Sequence, residues 1–145
     1  MHLAATRIIT DEVDALVTFY ETATGITAER IHPMFAELRT PSGTLAFAST
    51  ATVPLLGDDA AEARVNRSVM LDFLVDDVDA TYKALQGVVE VFVNEPTDMP
   101  WGNRSLLVRD PDGNLINFFT PISEAALARF ANEAAVRTGA NSITR

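Results

Sequence analysis

The chain contains no cysteine, and this absence excludes disulfide bonds, thiol nucleophiles and thiolate metal sites. Histidine is nearly as scarce, since the sequence has only His2, close to its first residue, and His32, next to Pro33. Both positions are more typical of solvated or structural side chains than of metal ligands. The two residue types that bind zinc most often are therefore almost missing.

Basic residues are also few. The 11 Lys and Arg residues stand against 20 Asp and Glu residues, which gives a formal net charge of −9 at pH 7. Nucleic-acid binding depends on Lys and Arg that neutralise phosphates, so this composition argues against a nucleic-acid partner. At long range it favours a cationic small molecule or a basic partner, although acidity also keeps proteins soluble without any such role.

Long apolar runs are missing as well. None reaches the roughly 18 residues that a membrane-spanning helix needs, and the first residues do not follow the basic-then-apolar pattern of a signal peptide. We therefore expect a cytoplasmic protein with no membrane partner. The length of 145 residues is enough for a single domain that buries its own core.

A short motif occurs twice in the chain. Residues 38–45 read LRTPSGTL and residues 108–115 read VRDPDGNL, and four positions agree at an offset of 70, as Arg39 and Arg109 do. Proline sets φ for the first corner of a turn and glycine accepts positive φ, so each copy predicts a strand–turn–strand hairpin. The repeat predicts two similar modules around a shared interior.

Each hairpin is preceded by a strand, a helix and another strand, so each module is β-α-β-β-β. For module one (3–49) the predicted elements are a strand at 3–10, a helix from Thr10 or Asp11 to Gly25, an edge strand at 26–31 and hairpin strands at 35–39 and 44–49. For module two (68–121) they are a strand at 68–75, a helix from Asp77 to Gly87, a strand at 88–93, a loop at 94–103 and hairpin strands at 105–108 and 115–120.

Two further segments complete the prediction. Residues 50–67 contain Pro54 and Gly57 and are predicted to be a linker, with a short helical turn near 60–64. Residues 122–145 are predicted to form a C-terminal helix and tail outside the single domain of residues 1–121. Ser123 is the expected N-cap of that helix, and its apolar positions are Leu127, Phe130, Ala131 and Ala134.

Three of these segments carry a family resemblance: Phe19-Tyr20 in the first helix, FLVDDV at 73–78 and WGNRSLLVRDPDGNL at 101–115. Over residues 3–121 the chain resembles the vicinal oxygen chelate superfamily, which includes glyoxalase I, extradiol dioxygenases, and fosfomycin- and bleomycin-resistance proteins. The resemblance implies an α+β fold. In it, two βαβββ modules form a cup-shaped, incompletely closed mixed β-barrel with flanking helices, followed here by a C-terminal helix.

Enzymes of this superfamily hold a divalent metal in the cup, on His, Gln or Glu side chains of the first and last strands of each module. The resemblance places Ala5, Phe47, Met70 and Asn117 at these four positions. Alanine and phenylalanine offer no donor atom, a methionine thioether prefers soft ions, and one asparagine oxygen is a weak ligand. We therefore expect no metal and no other cofactor, as in the bleomycin-resistance-like branch.

The predicted function is to bind a small aromatic or cationic molecule in an apolar cup. The predicted ligand-binding residues are Arg7, Phe47, Met70, Asp72, Met99, Trp101, Asn117 and Phe119. Arg7 and Asp72 occupy equivalent strand positions in the two modules. We expect both to project into one cup and to hydrogen-bond to each other or to a ligand.

Two other functions are compatible with the sequence. One is a small-molecule enzyme of the same superfamily, either a lyase or dioxygenase-like, whose metal site is non-standard or absent. In such an enzyme Asp72, alone or aided by Arg7, would act as the acid or base. The other is an interaction module whose cup is filled by side chains.

Proteins of this superfamily are commonly dimers, so we expect a homodimer in which helix 123–137 covers a sheet edge or reaches the partner.

Overall fold

The computed structural model describes the backbone of residues 1–139 and the side chains of residues 1–132. The first half of the chain forms a four-stranded sheet with order β1-β4-β3-β2, in which β1 runs parallel to β4 and the other neighbours are antiparallel. Its elements are β1 (Thr6–Thr10), α1 (Val13–Thr24), β2 (Glu29–His32), β3 (Phe35–Arg39) and β4 (Thr44–Ser49).

The second half repeats this arrangement, with sheet order β5-β9-β8-β6 and β7 paired to β8. Its elements are β5 (Met70–Leu74), α3 (Val78–Leu85), β6 (Val91–Phe92), β7 (Thr97–Asp98), β8 (Asn103–Arg109) and β9 (Leu115–Pro121). The two sheets confirm the expected α+β fold, and the described residues form no closed barrel. The strand predicted at 88–93 shrinks to the two residues of β6.

Local capping signals decide where the helices begin and end. Gly25 adopts φ 72° and donates its N–H to the carbonyl of Glu21, which ends α1 as predicted. The Asp77 side chain accepts from the N–H groups of Asp79 and Ala80 and begins α3. Both signals lie within four residues of the groups they satisfy, so the sequence alone reveals them.

The predicted helical turn near 60–64 is wrong. The segment that follows β4 becomes helical earlier, through a 3-10 turn at Thr50–Thr52 and α2 at Val53–Leu56. Pro54 lies in the first turn of α2, where its fixed φ favours a helix and its missing N–H costs nothing. Gly57 then ends the helix.

The C-terminal helix α4 (Glu124–Gly139) packs on β9 with a face that differs from the predicted one. Ser123 is its N-cap, as expected, because Ser123 Oγ accepts from the N–H of Ala126. Ala126 is buried and the Phe130 ring lies 5.1 Å from that of Phe119, but Leu127 remains 54% exposed. The predicted face is therefore wrong at Leu127 and at Ala131, which is also exposed, and the side chain of Ala134 lies outside the described residues.

One hydrophobic core contains side chains of both halves. Its aromatic rings form a chain from Phe47 to Tyr20 at 5.1 Å, from Tyr20 to Phe73 at 6.3 Å and from Phe73 to Phe118 at 5.7 Å. Tyr20 comes from α1, whereas Phe73 and Phe118 come from the second sheet. No helix in the described part of the chain is long and apolar enough to cross a bilayer.

The two hairpin turns differ in length by one residue, and this changes which positions correspond. Arg39 pairs with Thr44 across a turn of residues 40–43, whereas Arg109 pairs with Leu115 across a turn of residues 110–114. The offset between the modules is therefore 70 before the turn and 71 after it. Neighbouring strand residues point to opposite faces of a sheet. A comparison that keeps the offset of 70 after the turn therefore matches each residue of β9 to a residue of β4 that points to the opposite face.

Candidate functional site

An open groove of about 1300 Å³ runs along the face of the second sheet that carries α4. We call it the β5 groove. Five of the eight predicted ligand-binding residues line it, and these are Met70, Asp72, Trp101, Asn117 and Phe119. The turn at residues 40–44 of the first module closes it on another side. Five of the predicted residues thus share one concavity, and their role in ligand binding stays a prediction.

The floor of the β5 groove is rich in hydrogen-bond acceptors. Asn117 Nδ2 donates to Asp72 Oδ1 at 2.9 Å, which orients the amide and leaves Asn117 Oδ1 without a donor among the described residues. Asn103 Oδ1 and Ser105 Oγ are likewise buried without a hydrogen-bond partner in that part of the chain. Ser105 pairs with Phe119 in the β8–β9 ladder, so its side chain shares the face of the groove.

The walls of the groove are aromatic. The rings of Phe119 and Phe130 pack together, and Trp101 lies at the mouth with 67% of its surface exposed. The guanidinium of Arg129 lies 5.0 Å from the centre of the Phe130 ring. Asp72 also places a carboxylate in this groove, where it can attract a cation.

Three predicted residues do not line this groove, namely Phe47, Met99 and Arg7. Phe47 is fully buried in the core, under Tyr20, and its assignment to the cup is wrong. The cause is the longer second turn, because the strand position that corresponds to Asn117 is Ala46. Met99 is half-buried in the loop before β8, where its N–H donates to the carbonyl of Asn103 at 2.7 Å.

Three residues on this side of the second sheet escaped the sequence analysis: Asn103, Ser105 and Phe130, of which Asn103 and Phe130 line the groove. The first two stand two positions apart at the start of β8, and that spacing places both side chains on one face of the strand. The strand continues with the apolar residues Leu106, Leu107 and Val108, so the polar pair at its start could have been recognised from the sequence. Phe130 could be assigned only once the packing of α4 on β9 was known.

Arg7 and Asp72 do not contact each other, so the predicted direct pairing is wrong, whereas a bond from either side chain to a ligand stays a prediction. Their strand positions are equivalent, since Arg7 pairs with Ala46 and Asp72 pairs with Asn117. Asp72 accepts its hydrogen bond from Asn117, whereas the Arg7 guanidinium lies over the ring of Phe35 at 5.2 Å. No ion pair joins the two within the described side chains. β1 and β5 are end strands of separate sheets, so equivalent positions need not meet.

The family's four metal positions do not fit a divalent ion in this chain. With the corrected register they are Ala5, Ala46, Met70 and Asn117, which offer one amide oxygen and one thioether. Hard and borderline divalent ions take oxygen and imidazole ligands and require several of them. Among the described residues, no three His, Cys, Asp or Glu side chains come together in a group that could hold a metal.

A separate polar cluster joins the two modules. The Tyr20 hydroxyl donates to Asp110 Oδ2 at 2.8 Å, and Asn114 Nδ2 donates to the same oxygen at 2.8 Å. Burial, and after it the neighbouring Asp110 carboxylate, raises the pKa of Tyr20 well above its ordinary value. Since Tyr20 is 0% exposed and held as the donor, its role is structural.

Next to this cluster lies a poorly satisfied carboxylate. The Asp112 side chain is 1% exposed, and its nearest charged partner is Arg64, with Nε 3.5 Å from Oδ1. No hydrogen bond of ordinary geometry reaches either of its oxygens from the described residues. Burial raises the pKa of Asp112, an effect that the Thr10 hydroxyl and Arg64 oppose in part. Asp112 and Arg64 help to hold the linker against the second hairpin.

Comparison with known proteins places this architecture in a family. No curated protein matches the sequence. Many solved structures share the fold. One of them is a glyoxalase/bleomycin resistance protein/dioxygenase from Nocardioides, with 24% identity, a TM-score of 0.70 and coverage of 86% of this chain and 85% of that one. Another is a glyoxalase/bleomycin resistance protein/dioxygenase family enzyme from Burkholderia phytofirmans PsJN, with 18% identity, a TM-score of 0.75 and coverage of 84% of this chain and 100% of that one. The model of the Glyoxalase/Bleomycin resistance protein/Dioxygenase superfamily matches residues 2–118, and the chain belongs to that superfamily.

Proposed function

We propose that this protein binds a small aromatic cation, or an aromatic molecule with several N–H donors, in the β5 groove without the help of a metal ion. The observation that carries the proposal is the exposed Asp72 carboxylate in a groove lined by the rings of Trp101, Phe119 and Phe130. Asn117 shares the face of the sheet with Asp72 and orients its carboxylate by donating from Nδ2.

The Asp72 carboxylate accepts one hydrogen bond from Asn117 Nδ2, and its oxygens can accept further bonds. An ammonium or amidinium group in the groove would add a charge-assisted bond to Asp72. The floor therefore favours donors over acceptors in its ligand.

The aromatic walls suit the remainder of such a ligand. Phe119, Phe130 and the exposed Trp101 offer ring faces, on which flat apolar groups stack and cations are attracted. The net charge of −9 also attracts cations at long range. These features support a binding protein of bleomycin-resistance-like type.

The proposal can be tested with two aromatic cations, benzamidine and phenethylamine, whose Kd is measured by isothermal titration calorimetry. We expect binding by the wild type and a Kd at least about tenfold higher in Asp72→Asn, because a charge-assisted bond is worth about 1.5–3 kcal/mol. Asp58→Asn removes the same charge from an exposed site outside the groove and serves as the matched control.

Two results would contradict the proposal. One is an equal loss of affinity in the two variants, and the other is equally tight binding of the neutral analogue benzyl alcohol.

A parallel thermal-shift series with Ni²⁺, Zn²⁺ and Mn²⁺ tests the metal positions, where we expect no rise in Tm because the required donors are missing.

We further propose that the protein is a homodimer. Twofold pairing is the commonest closed symmetry, and β1 and β5 each leave one backbone edge without a partner strand among the described residues. Light scattering during size-exclusion chromatography should give twice the chain mass of 15.7 kDa. A monomer mass throughout the micromolar range would refute this proposal.

The cytoplasmic location expected from the sequence stays a prediction.

A further inference from the structure

Among the described residues, three charged side chains line the β5 groove, those of Asp72, Asp76 and Arg129. Asp76 already has an interaction of its own, and Asp72 is the residue on which the proposed binding of a cation depends. Arg129 is an exposed residue of α4 that this binding does not use. A guanidinium in a groove that binds a cation indicates a second charged group on the ligand, of the opposite sign.

The guanidinium of Arg129 is held in place and still has free donors. It lies 5.0 Å from the centre of the Phe130 ring, and no carboxylate among the described side chains is within ion-pair distance of it. Contact with a ring face leaves the N–H groups at the edge of a guanidinium available. Asn132, three residues later and so on the same side of α4, also lines the groove. This end of the groove therefore offers N–H donors to a ligand.

Aromatic rings separate this end from the carboxylate. Asp72 pairs with Asn117 in the β5–β9 ladder, and Phe119 lies two residues further along β9, a step of about 7 Å. The Phe130 ring is 5.1 Å from the Phe119 ring and 5.0 Å from the guanidinium of Arg129. The two charges are therefore separated on the order of 10–15 Å along the groove, with both rings between them.

We propose that the ligand of the β5 groove also carries a carboxylate and is an aromatic zwitterion, a proposal that rests on the binding function proposed above. Its cationic group bonds to Asp72, its flat apolar body packs on Phe119 and Phe130, and its carboxylate accepts N–H bonds from Arg129. The planar guanidinium favours two parallel N–H···O bonds to a carboxylate. A ligand with both charges close together cannot make both contacts, so the two groups must stand at opposite ends of the aromatic body.

The probe is 4′-(aminomethyl)biphenyl-4-carboxylate, whose two rigid rings hold an ammonium group and a carboxylate at opposite ends. Its primary amide keeps the ammonium group and the rings and loses only the negative charge. By isothermal titration calorimetry we expect the wild type to bind the acid about fivefold or more tightly than the amide, because a carboxylate on a guanidinium forms charge-assisted bonds.

Substitutions at Arg129 should change this preference specifically. Arg129→Gln should bring the Kd values of acid and amide to within about twofold of each other. Arg129→Lys keeps the charge but not the paired geometry, so it should keep only part of the preference. Arg67→Gln removes an exposed arginine outside the groove and serves as the matched control, in which the ratio of the two Kd values should equal that of the wild type.

Nuclear magnetic resonance on the wild type gives a readout of position. The Nε–H signal of Arg129, identified as the one that Arg129→Gln loses, should shift on addition of the acid and much less on addition of the amide. Equal affinity of the wild type for acid and amide would overturn the proposal, as would no binding of the acid. Equal changes of the Kd ratio in Arg129→Gln and Arg67→Gln, or an Nε–H signal that responds to neither probe, would also overturn it.

Asp72→Asn separates this failure from failure of the proposed function. If Asp72→Asn weakens the binding of phenethylamine while the wild type binds acid and amide equally, only the carboxylate contact to Arg129 is wrong. If Asp72→Asn leaves the binding of phenethylamine unchanged, the proposed cation site itself is wrong.

Discussion

Gly102→Ala should lower the free energy of unfolding by about 3 kcal/mol, the sum of backbone strain and overpacking. Gly102 has φ +95°, and a Cβ there would lie 2.1 Å from Ser123 Oγ and 2.8 Å from Ser123 Cβ. Ser123 cannot simply rotate away at no cost, because its Oγ caps α4. The carbonyl of Gly102 also accepts from the N–H groups of Ile122 and Ser123, so the same residue anchors the start of α4 twice.

Gly113→Ala is the matched control for this substitution. Gly113 has φ +84°, and a Cβ at that position would meet nothing within 4 Å. Gly113→Ala therefore has the conformational cost of an alanine at positive φ, about 1–2 kcal/mol, but no steric clash with a neighbouring side chain. Urea unfolding followed by circular dichroism measures both variants, and equal losses would show that the contact between Gly102 and Ser123 has no energetic role.

Tyr20→Phe should lower the free energy of unfolding by about 2 kcal/mol, the usual cost of removing a hydrogen bond to a buried charged group. The lost hydroxyl leaves Asp110, which is 5% exposed, with one donor fewer in the core. Asp110 keeps Asn114 Nδ2 on the same oxygen and two backbone N–H groups on the other, so the loss stops short of unfolding the protein.

Tyr82→Phe provides the reference for this second prediction. Tyr82 is half-buried and packs on Phe92 at 5.4 Å, and no hydrogen bond of its hydroxyl is found among the described residues. Its loss should change the free energy of unfolding by no more than about 0.5 kcal/mol. If both variants lose the same amount, the bond between Tyr20 and Asp110 does not stabilise the contact between the modules.

Much of the fold could be predicted from the sequence because its signals are local. The hairpin strands β3 and β4 have the predicted boundaries, and Gly25, Asp77 and Ser123 cap helices where they were expected to. Each of these signals acts within about five residues, so neighbouring sequence is sufficient. Three of the four metal positions lack a donor for a hard or borderline ion, and this too follows from residue identity alone.

Only the tertiary structure decided which side chains share a site. Because the second turn is one residue longer, Ala46 and not Phe47 corresponds to Asn117, and Phe47, on the opposite face of its strand, is buried in the core. Arg7 and Asp72 keep equivalent strand positions yet lie in different concavities. Ala126 rather than Leu127 faces the sheet, because Gly102 lets the start of α4 approach β8 closely. Distances between the sheets depend on packing across the whole core, so they are determined jointly by residues that lie far apart in the sequence.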